Sequence, residues 1–393
     1  MLLFQTILVY TLLTVLMCYY ASKSYGKEKW TWQYGWIPII LFTLVFGLRY
    51  GVGIDYNNYS RIYDETSSYR SLAKLLEGER YEPGFSILLY VCHLIHAPEY
   101  IMFSIIAFIQ IVLIYKTFKE EGHVLPYIYL TMILTGFCMY SMMNVLRHEI
   151  ALFIFLYSLK YIRDDKLLKY WLCCLIALCF HLSAIILFPL YFVWKIRKPF
   201  FNNPRLEIII VFASFVFSFF AQWQNILHMF DNLIVLLGYE TYIDIADDMI
   251  VNSKIGITRL FNLLINCIII INSKKIKAYF NSGLLNILYD LFIVGVALGY
   301  IFLSSMMMMR MIVYVNHVQF IILAYALCYL HQTRRSNVKQ FVQYALVALF
   351  IFVSYSSFLH HSMDNTGAYV FYFQTDMHLE KDNLRQEALS RKN

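Results

Sequence analysis

Along most of this chain the apolar positions do not alternate with polar ones. They run together in long blocks, and the charged residues collect in the gaps between them. A bilayer core is crossed by about 20 apolar residues in a helix, with a range of about 17–25. Blocks that predict spans are Leu2–Tyr20, Trp36–Leu48, Ile101–Tyr115, Leu125–Met142, Ile150–Tyr161, Leu206–Ala221, Leu260–Ile271, Leu284–Leu303, Met311–Leu330 and Phe341–Phe358. Several fall short of that length, and their helices are expected to continue into the loops. The pattern predicts an all-α fold: a polytopic membrane helix bundle, read as a single domain over residues 1–393.

The charges in the gaps sort into two kinds. Lysine-rich connections (Lys23/Lys27/Lys29, Lys160/Arg163/Lys166/Lys169, Lys195/Arg197/Lys198, Lys274/Lys275/Lys277, Arg334/Arg335/Lys339) fall on one side, which by the positive-inside rule is the cytoplasm. Isolated charges (Arg49 with Asp55, Arg147, His181, Arg310) and acidic loop residues fall on the other. Tyr170–Trp194 is long for one span and short for two, with lysine-rich loops on both flanks. It is expected to go out and return as a short hairpin, which places His181 outside. Pro83–Tyr115 dips at His93–His96–Pro98, predicting one span plus a re-entrant piece, with two spans as the alternative. The sum is about 12 crossings with both termini outside. The outer loops run over about 49–82 and 222–258, the second opening with an amphipathic run at Ile226–Leu237. The polar tail over about 359–393 is also outer.

Composition agrees with this and narrows the function classes. The chain has 393 residues, 60% hydrophobic and 15% charged, with mean hydropathy +0.58, whereas soluble domains run at roughly 25% charged. The net charge of +7 comes from short loops, with no basic stripe on a polar surface, so a nucleic-acid partner is not expected. Its 33 tyrosines and 6 tryptophans suit the interfacial belts. All eight cysteines lie in or at the ends of apolar blocks and read as small hydrophobes. Cys173, Cys174, Cys179 and His181 lack the spacing of a zinc site. The start MLLFQTILVY has no basic n-region or small-residue cleavage site and reads as a retained first helix.

Charged side chains at membrane depth are costly unless paired or functional, so the isolated ones carry the candidate chemistry. GLRYGVGIDYNNY (Gly47–Tyr59) sets Arg49 at a helix end, then glycines, then Asp55 among Tyr56 and Tyr59. Arg49 and Asp55 either pair as a helix cap or face a ligand that the glycines let approach. YEPGF (Tyr81–Phe85) holds Glu82, which is equally a first-turn acid complementing the helix dipole. NVLRHEIAL (Asn144–Leu152) holds Arg147, and FHLSAI (Phe180–Ile185) holds His181. MMMMRMIVY (Met306–Tyr314) holds Arg310, with Tyr314 one turn on. Arg147 otherwise reads as an interfacial anchor and His181 as a packing histidine. Solvation explains Arg310 poorly, because the stretch around it is otherwise uncharged.

In their order and membrane positions these motifs resemble the EpsG family of exopolysaccharide polymerases, relatives of the Wzy-type O-antigen and capsule polymerases. The pattern is R-x-G-x-G-x-D-Y-x-x-Y, then E-P, an outer arginine opening a helix, F-H-x-S-A, and a late arginine followed by tyrosine, over about Gly47 to Tyr314. One departure is His148 after Arg147, where the family often has glutamine; another is the tail, where only Tyr369–Tyr372 matches an aromatic outer segment. The resemblance implies transfer of a glycan from a polyprenyl diphosphate donor onto a lipid-linked repeat-unit acceptor, at the outer face of a bacterial cytoplasmic membrane. It also implies a flippase and a chain-length regulator as partners.

The residue chemistry fits that reaction independently. A diphosphate leaving group needs fixed positive charge, and arginine gives always-charged, bidentate donors. Arg49, Arg147 and Arg310 are therefore expected on the diphosphate, with Tyr56, Tyr59 and Tyr314 on the diphosphate or glycan. The attacking hydroxyl needs a base within reach, and Asp55, Glu82 and His181 are the candidates. No DxD-like acidic pair stands beside the arginines, so neither a metal nor any other cofactor is expected. Two other classes compete. A flippase would hold charges near the midplane and show internal repeats. A membrane acyltransferase would use His181 as base but needs access to a cytoplasmic acyl donor.

Overall fold

The computed structural model describes residues 2–24, 32–68, 71–77, 81–194, 200–219, 257–303, 306–360, 367–378 and 381–382. The described chain is all-α apart from a two-stranded antiparallel ladder. The domain read from the sequence is built of two compact units: Met1–Ile196 with Ile351–Asn393, and Arg197–Phe350 between them. Most of the outer loop 222–258, including Ile226–Leu237, lies outside the described residues, as do Lys195, Arg197 and Lys198.

Among the described residues, five helices are long and apolar enough to cross a membrane: Leu2–Lys23, Glu99–Glu121, Gly283–Ile301, Val313–Thr333 and Val338–Leu359. Leu125–Leu134 with Cys138–Asn144 makes a sixth if the bent pair is one span. Four shorter apolar helices accompany them, Tyr34–Gly47, Pro83–Leu94, Leu167–Leu178 and Leu182–Trp194. The helices establish a multi-pass bundle; the full set of about 12 crossings is not established by their length and apolarity.

In the first unit α1 (Leu2–Ser24), α2 (Trp32–Gly47), α6 (Glu99–Phe118) and α9 (Leu146–Arg163) form the packed body. Helix α1 leaves Phe4, Leu8, Leu12 and Val15 exposed, as a lipid-facing stripe would. Bonds between helix ends fix their direction. Arg163 Nη1, 3.4 Å from Glu120 Oε2, brings the C-terminal ends of α6 and α9 together, with Lys116, Lys119, Lys160 and Lys166 nearby in the chain. The start of α7 (Leu125–Leu134) joins the C-terminal half of α1, where Cys18 Sγ donates to Pro126 O at 3.1 Å. Among the described residues, Lys116, Lys119, Lys160, Arg163 and Lys166 thus gather at one end of this unit.

Three local structures depart from the simple block pattern. Leu125–Met142 is not one helix: at Gly136 (φ +70°) the chain turns by 69° into α8 (Phe137–Asn144). A Cβ at Gly136 would stand 2.5 Å from Phe358 Cβ, so only glycine fits this elbow. Helix α5 (Pro83–Leu94) lies along α3 (Tyr56–Thr66), with Phe85 against Tyr59 at one end and His93 against Thr66 at the other. That leaves α6 to make the crossing in this stretch. Tyr170–Trp194 forms the expected hairpin: α10 (Leu167–Leu178), a 3₁₀ segment Leu182–Leu187 and α11 (Leu190–Trp194). Tyr170 OH donates to Leu187 O at 2.7 Å across it, closing the arms. Cys179 at the turn is exposed, unlike the buried cysteines expected.

The tail is not a loose polar end. Val370–Phe371 (β2) pairs antiparallel with Arg49–Tyr50 (β1), in register Arg49 to Phe371. Tyr369, fully buried, donates from its hydroxyl to Val45 O at 2.5 Å and from its backbone amide to Thr6 Oγ1 at 2.8 Å. His378 stacks on Tyr50 with centroids 3.5 Å apart, and Gln5 donates to Tyr369 O and Gln374 Oε1. Leu2, Val370 and Met377 form a small buried cluster. The start of α1, the Gly47–Gly53 turn and the tail therefore share one end.

The second unit packs α12 (Pro204–Phe217), α13 (Ile257–Phe280), α14 (Gly283–Ile301) and α17 (Val318–Thr333). The block read as Met311–Leu330 is broken here into α15 (Met306–Met311), α16 (Val313–Asn316) and α17. A Cβ on Gly295 would sit 2.3 Å from Val315 O, so α14 admits this broken segment only at a glycine. Glu207 and Asp290, neither singled out from sequence, are 1% exposed and bonded. Asp290 accepts the amides of Phe200 and Phe201 at 3.2 Å, and Tyr289 OH donates to Glu207 Oε2 at 2.5 Å. Lys277, counted only for topology, donates to Phe201 O at 2.7 Å and lies 3.9 Å from the Tyr289 ring centroid.

The tail contacts predict a graded stability series. Tyr369→Phe removes only a hydroxyl bond and should cost about 1 kcal/mol, whereas Tyr369→Ala empties a buried aromatic site and should cost about 3–5 kcal/mol. Thermal unfolding of the detergent-solubilised protein checks the order; equal effects would mean that the tail does not hold this end.

Candidate functional site

The end of the first unit opposite the lysines gathers three turns of chain. Pro83 opens α5, which forces Glu82 before it into an extended conformation (φ −61°, ψ 148°). Gly84 follows, and its amide donates to Cys179 O at 2.7 Å. A Cβ on Gly84 would stand 2.7 Å from that same oxygen. The E-P-G sequence thus presses the start of α5 onto the end of α10 and presents Glu82 to the turn.

Arg147 reaches Glu82 from the first turn of α9. Its Nη1 donates to Glu82 Oε2 in a close ion pair, both side chains being part-exposed, 27% and 20%. The guanidinium lies 5.6 Å from the Tyr81 ring centroid and 5.7 Å from that of Phe85, within cation–π range. Tyr59 on α3 hydrogen-bonds it as well. Burial pushes the Tyr59 phenol above its ordinary range and Arg147 only partly offsets this, so the phenol stays neutral at pH 7. About 24 Å of helix separate Arg147 from Arg163 at the lysine end of α9.

His181 sits in extended conformation (φ −156°, ψ 124°) between α10 and the 3₁₀ segment. Its ring stacks on that of His148, centroids 4.2 Å apart and planes 11° apart. Ser183 lies between them: its amide donates to His181 Nδ1 at 3.3 Å, and its Oγ is 2.7 Å from that nitrogen and 3.5 Å from His148 Nε2. The Leu182 amide donates to Glu82 Oε1 at 3.4 Å. Both Glu82 oxygens are therefore engaged.

Of the residues singled out from sequence, Glu82, Arg147, His181 and Tyr59 come together here. Asp55 stands beside them at the head of the Tyr59 helix, half-buried, its amide donating to Asn144 Oδ1 at 3.2 Å. Arg49 does not reach a surface. It is 1% exposed and donates to the backbone oxygens of Phe46, Val52 (3.3 Å) and Met143 (3.2 Å). The expected diphosphate contact is replaced by a structural one, because its chain turns back under the Gly51–Gly53 turn. Tyr56 is likewise buried and donates to Glu99 Oε1 at 3.2 Å. Arg310 and Tyr314 belong to the second unit, Arg310 exposed on α15 and Tyr314 1% exposed on α16. Ser183 and Tyr81 were missed, and His148 was noted only as a departure; its adjacency to Arg147 on a helix start was the available signal. Among the described residues no group of three or more His, Cys, Asp or Glu side chains is placed to hold a metal ion.

The model of the EpsG family matches residues 32–372, a range that takes in the whole cluster. No curated protein and no solved structure matches this chain.

Gly84 gives the direct test of how the cluster is built. Gly84→Ala should break the hydrogen bond from its amide to Cys179 O and part α5 from α10, at a stability cost of about 1–3 kcal/mol. Any activity that needs Glu82 and His181 together should fall further than stability does. An alanine variant with the stability and activity of the natural protein would show that the close approach is dispensable.

Proposed function

The chain belongs to the EpsG family, and we propose that it polymerises lipid-linked repeat units at the extracytoplasmic face of a bacterial cytoplasmic membrane. Family membership supports exopolysaccharide polymerase activity at a general level. The donor, the face and the residue roles are our reading.

One observation carries the reading beyond the family: Arg147 stands at the end of its unit opposite the lysines, part-exposed, in a cluster of Glu82, Tyr59, Tyr81 and His181. In the proposed reaction an acceptor sugar hydroxyl attacks the anomeric carbon of the donor glycan. A carbon–oxygen bond forms, the bond to the polyprenyl diphosphate breaks, and its electron pair leaves with the diphosphate. The hydroxyl proton passes to a base. Arg147 stabilises the charge that develops on the leaving diphosphate, and Arg310, exposed on α15, is assigned in its own right to anionic substrate. Pre-organised charge of this kind is commonly the largest catalytic contribution. Glu82 and Tyr59 hold the Arg147 fork in place. Asp55 is the base, since Glu82 already accepts two hydrogen bonds. The pre-activated lipid donor supplies the energy, and neither a metal nor a cofactor enters. A flippase that delivers the repeat unit and a regulator of chain length would act beside it.

Deleting the gene and sizing the lipid-linked glycans tests the reading: single repeat units outside the cytoplasm support it, and units trapped inside point to a flippase. Arg147→Ala and Arg310→Ala should each collapse the glycan ladder towards single units at unchanged protein level, a loss on the order of 10²–10³ in rate. Lysine in either place should rescue poorly, because it keeps the charge without the planar fork. An intact ladder in the Arg310 variant would return that residue to an interfacial anchor, and one in the Arg147 variant would remove the clamp. Purified protein should polymerise in excess chelator; activity that needs added magnesium would contradict the metal-free mechanism.

A further inference from the structure

The docked tail completes a surface of a different kind from the Arg147 cluster, one of aromatic rings edged by acids. Tyr100, on the first turn of α6, lies 4.9 Å from Tyr372 of the tail, centroid to centroid. Tyr372 stands edge-on to Tyr50 of β1 at 6.3 Å, and His378 stacks flat on Tyr50 behind it. All four rings are half-buried. Their mount is backbone: the Tyr372 amide donates to Leu48 O at 2.7 Å, next to the pairing of β1 with β2.

Carboxylates border these rings. Glu99 precedes Tyr100 in the chain and accepts from Tyr56 on one oxygen and from Ser60 on the other. Asp382 accepts the Tyr50 hydroxyl at 3.2 Å. Burial and the Glu99 carboxylate push the Tyr372 phenol above its ordinary range, and exposed Asp64 adds to the effect. A carboxylate offers about four acceptor sites, so the bonds already made to Glu99 leave it able to accept more. The cation of the tail, Lys381, is 1% exposed and donates inward to Ala368 O.

An aromatic face edged by acids repels phosphate and anionic headgroups. It suits an uncharged ring with C–H groups on its faces and hydroxyls around its rim, which is the form of a sugar. Helix α3 joins this surface to the Arg147 cluster. Tyr56, 6.0 Å from Tyr50 and bonded to Glu99, lies one turn from Tyr59, which bonds Arg147. A lipid-linked glycan has the same two parts in sequence, an anionic diphosphate and then hydroxyl-rich rings. We propose, resting on the polymerase reading above, that Tyr100 and Tyr372 form a platform for sugar rings of the lipid-linked glycan, with Glu99 and Asp64 accepting their hydroxyls. Tyr50 and His378 back the platform. Tyr56, expected from sequence to touch substrate, instead supports Glu99 from beneath.

The test uses the repeat unit released by mild acid from the producing cell's lipid-linked glycan, a probe with neither polyprenyl chain nor phosphate. The full-length protein is held in a detergent that has no sugar headgroup. Saturation-transfer NMR, with irradiation of the protein's aromatic protons, should reach the ring C–H protons of the probe. Tyr100→Leu and Tyr372→Leu should each weaken binding about tenfold, as for loss of one aromatic contact. Tyr372→Phe keeps the ring and should lose less than Tyr372→Leu. Tyr100 lies outside the tail, so its variant decides the matter even where Tyr372→Leu loosens the tail. No transfer from the natural protein, or leucine variants that bind as it does, would overturn the platform and return these rings to an interfacial belt. Failure of the polymerase reading looks different: the natural protein would bind the repeat unit at these rings yet join no two units together.

Discussion

A buried cation organises the end of the first unit that holds the candidate site. Arg49 has almost no exposure, and a guanidinium moved out of water without partners is strongly disfavoured. It meets that constraint with backbone oxygens from three separate places: Phe46 in α2, Val52 in the glycine turn and Met143 in α8. The Phe103 ring covers it at 4.8 Å. Each acceptor is a point where the chain cannot drift without stranding the charge. Gly53, at φ +105°, lets the turn close over it, because a Cβ there would be 2.9 Å from Asn144 Oδ1. That same Asn144 oxygen takes the Asp55 amide. The glycines of the R-Y-G-V-G-I-D sequence thus serve the closure of a turn over a buried charge, and Asp55 is placed by that closure.

The site itself is built on the same plan, with chain turns locked by polar contacts that a membrane protein cannot leave unmade. Gly84 fixes α5 to the end of α10, the Leu182 amide fixes the turn to Glu82, and Glu82 fixes Arg147. The contacts form a chain running from backbone to carboxylate to guanidinium. The group at its far end, Arg147, keeps part of its exposure, and Tyr59 and Tyr81 border it. A clamp needs a rigid mount more than extra charge, because the gain in the transition state comes from donors already in place.

Much of this was legible in the sequence and some was not, for physical reasons. Lysine counting found a set of basic residues that the fold brings to neighbouring helix ends, because short loops keep their lysines close to those ends. The hairpin at Tyr170–Trp194 followed from length and flanking charge. The elbow at Gly136 did not, since apolarity continues across it and only a close approach by Phe358 makes glycine necessary. The strand pairing of Val370–Phe371 was invisible for the opposite reason: its partner lies more than three hundred residues away, and two residues carry no periodicity. Glu207 and Asp290 escaped notice because they sit inside apolar helices beside partners that only the fold supplies. Arg49 was seen but misjudged, since a lone arginine in sequence gives no sign of whether carbonyls or a ligand will meet it.

Such arginines can be ranked by how many of their donors the backbone takes. Arg49 gives three to carbonyl oxygens and is buried, so it builds the fold. Arg147 bonds to side chains, Glu82 and Tyr59, and keeps partial exposure, so it can meet a ligand. A backbone oxygen holds a guanidinium fast because the helix behind it is rigid. A side-chain carboxylate holds it while leaving the other edge of the planar fork open to a second anion. The same distinction bears on the choice of base. Glu82 accepts from Arg147 on one oxygen and from the Leu182 amide on the other, and taking a proton would mean giving up one of these mounts at the moment the leaving group needs the clamp. A carboxylate outside that chain of contacts can be protonated without loosening Arg147. Asp55, placed through its backbone amide by Asn144, is the carboxylate to which the proposed reaction assigns the proton.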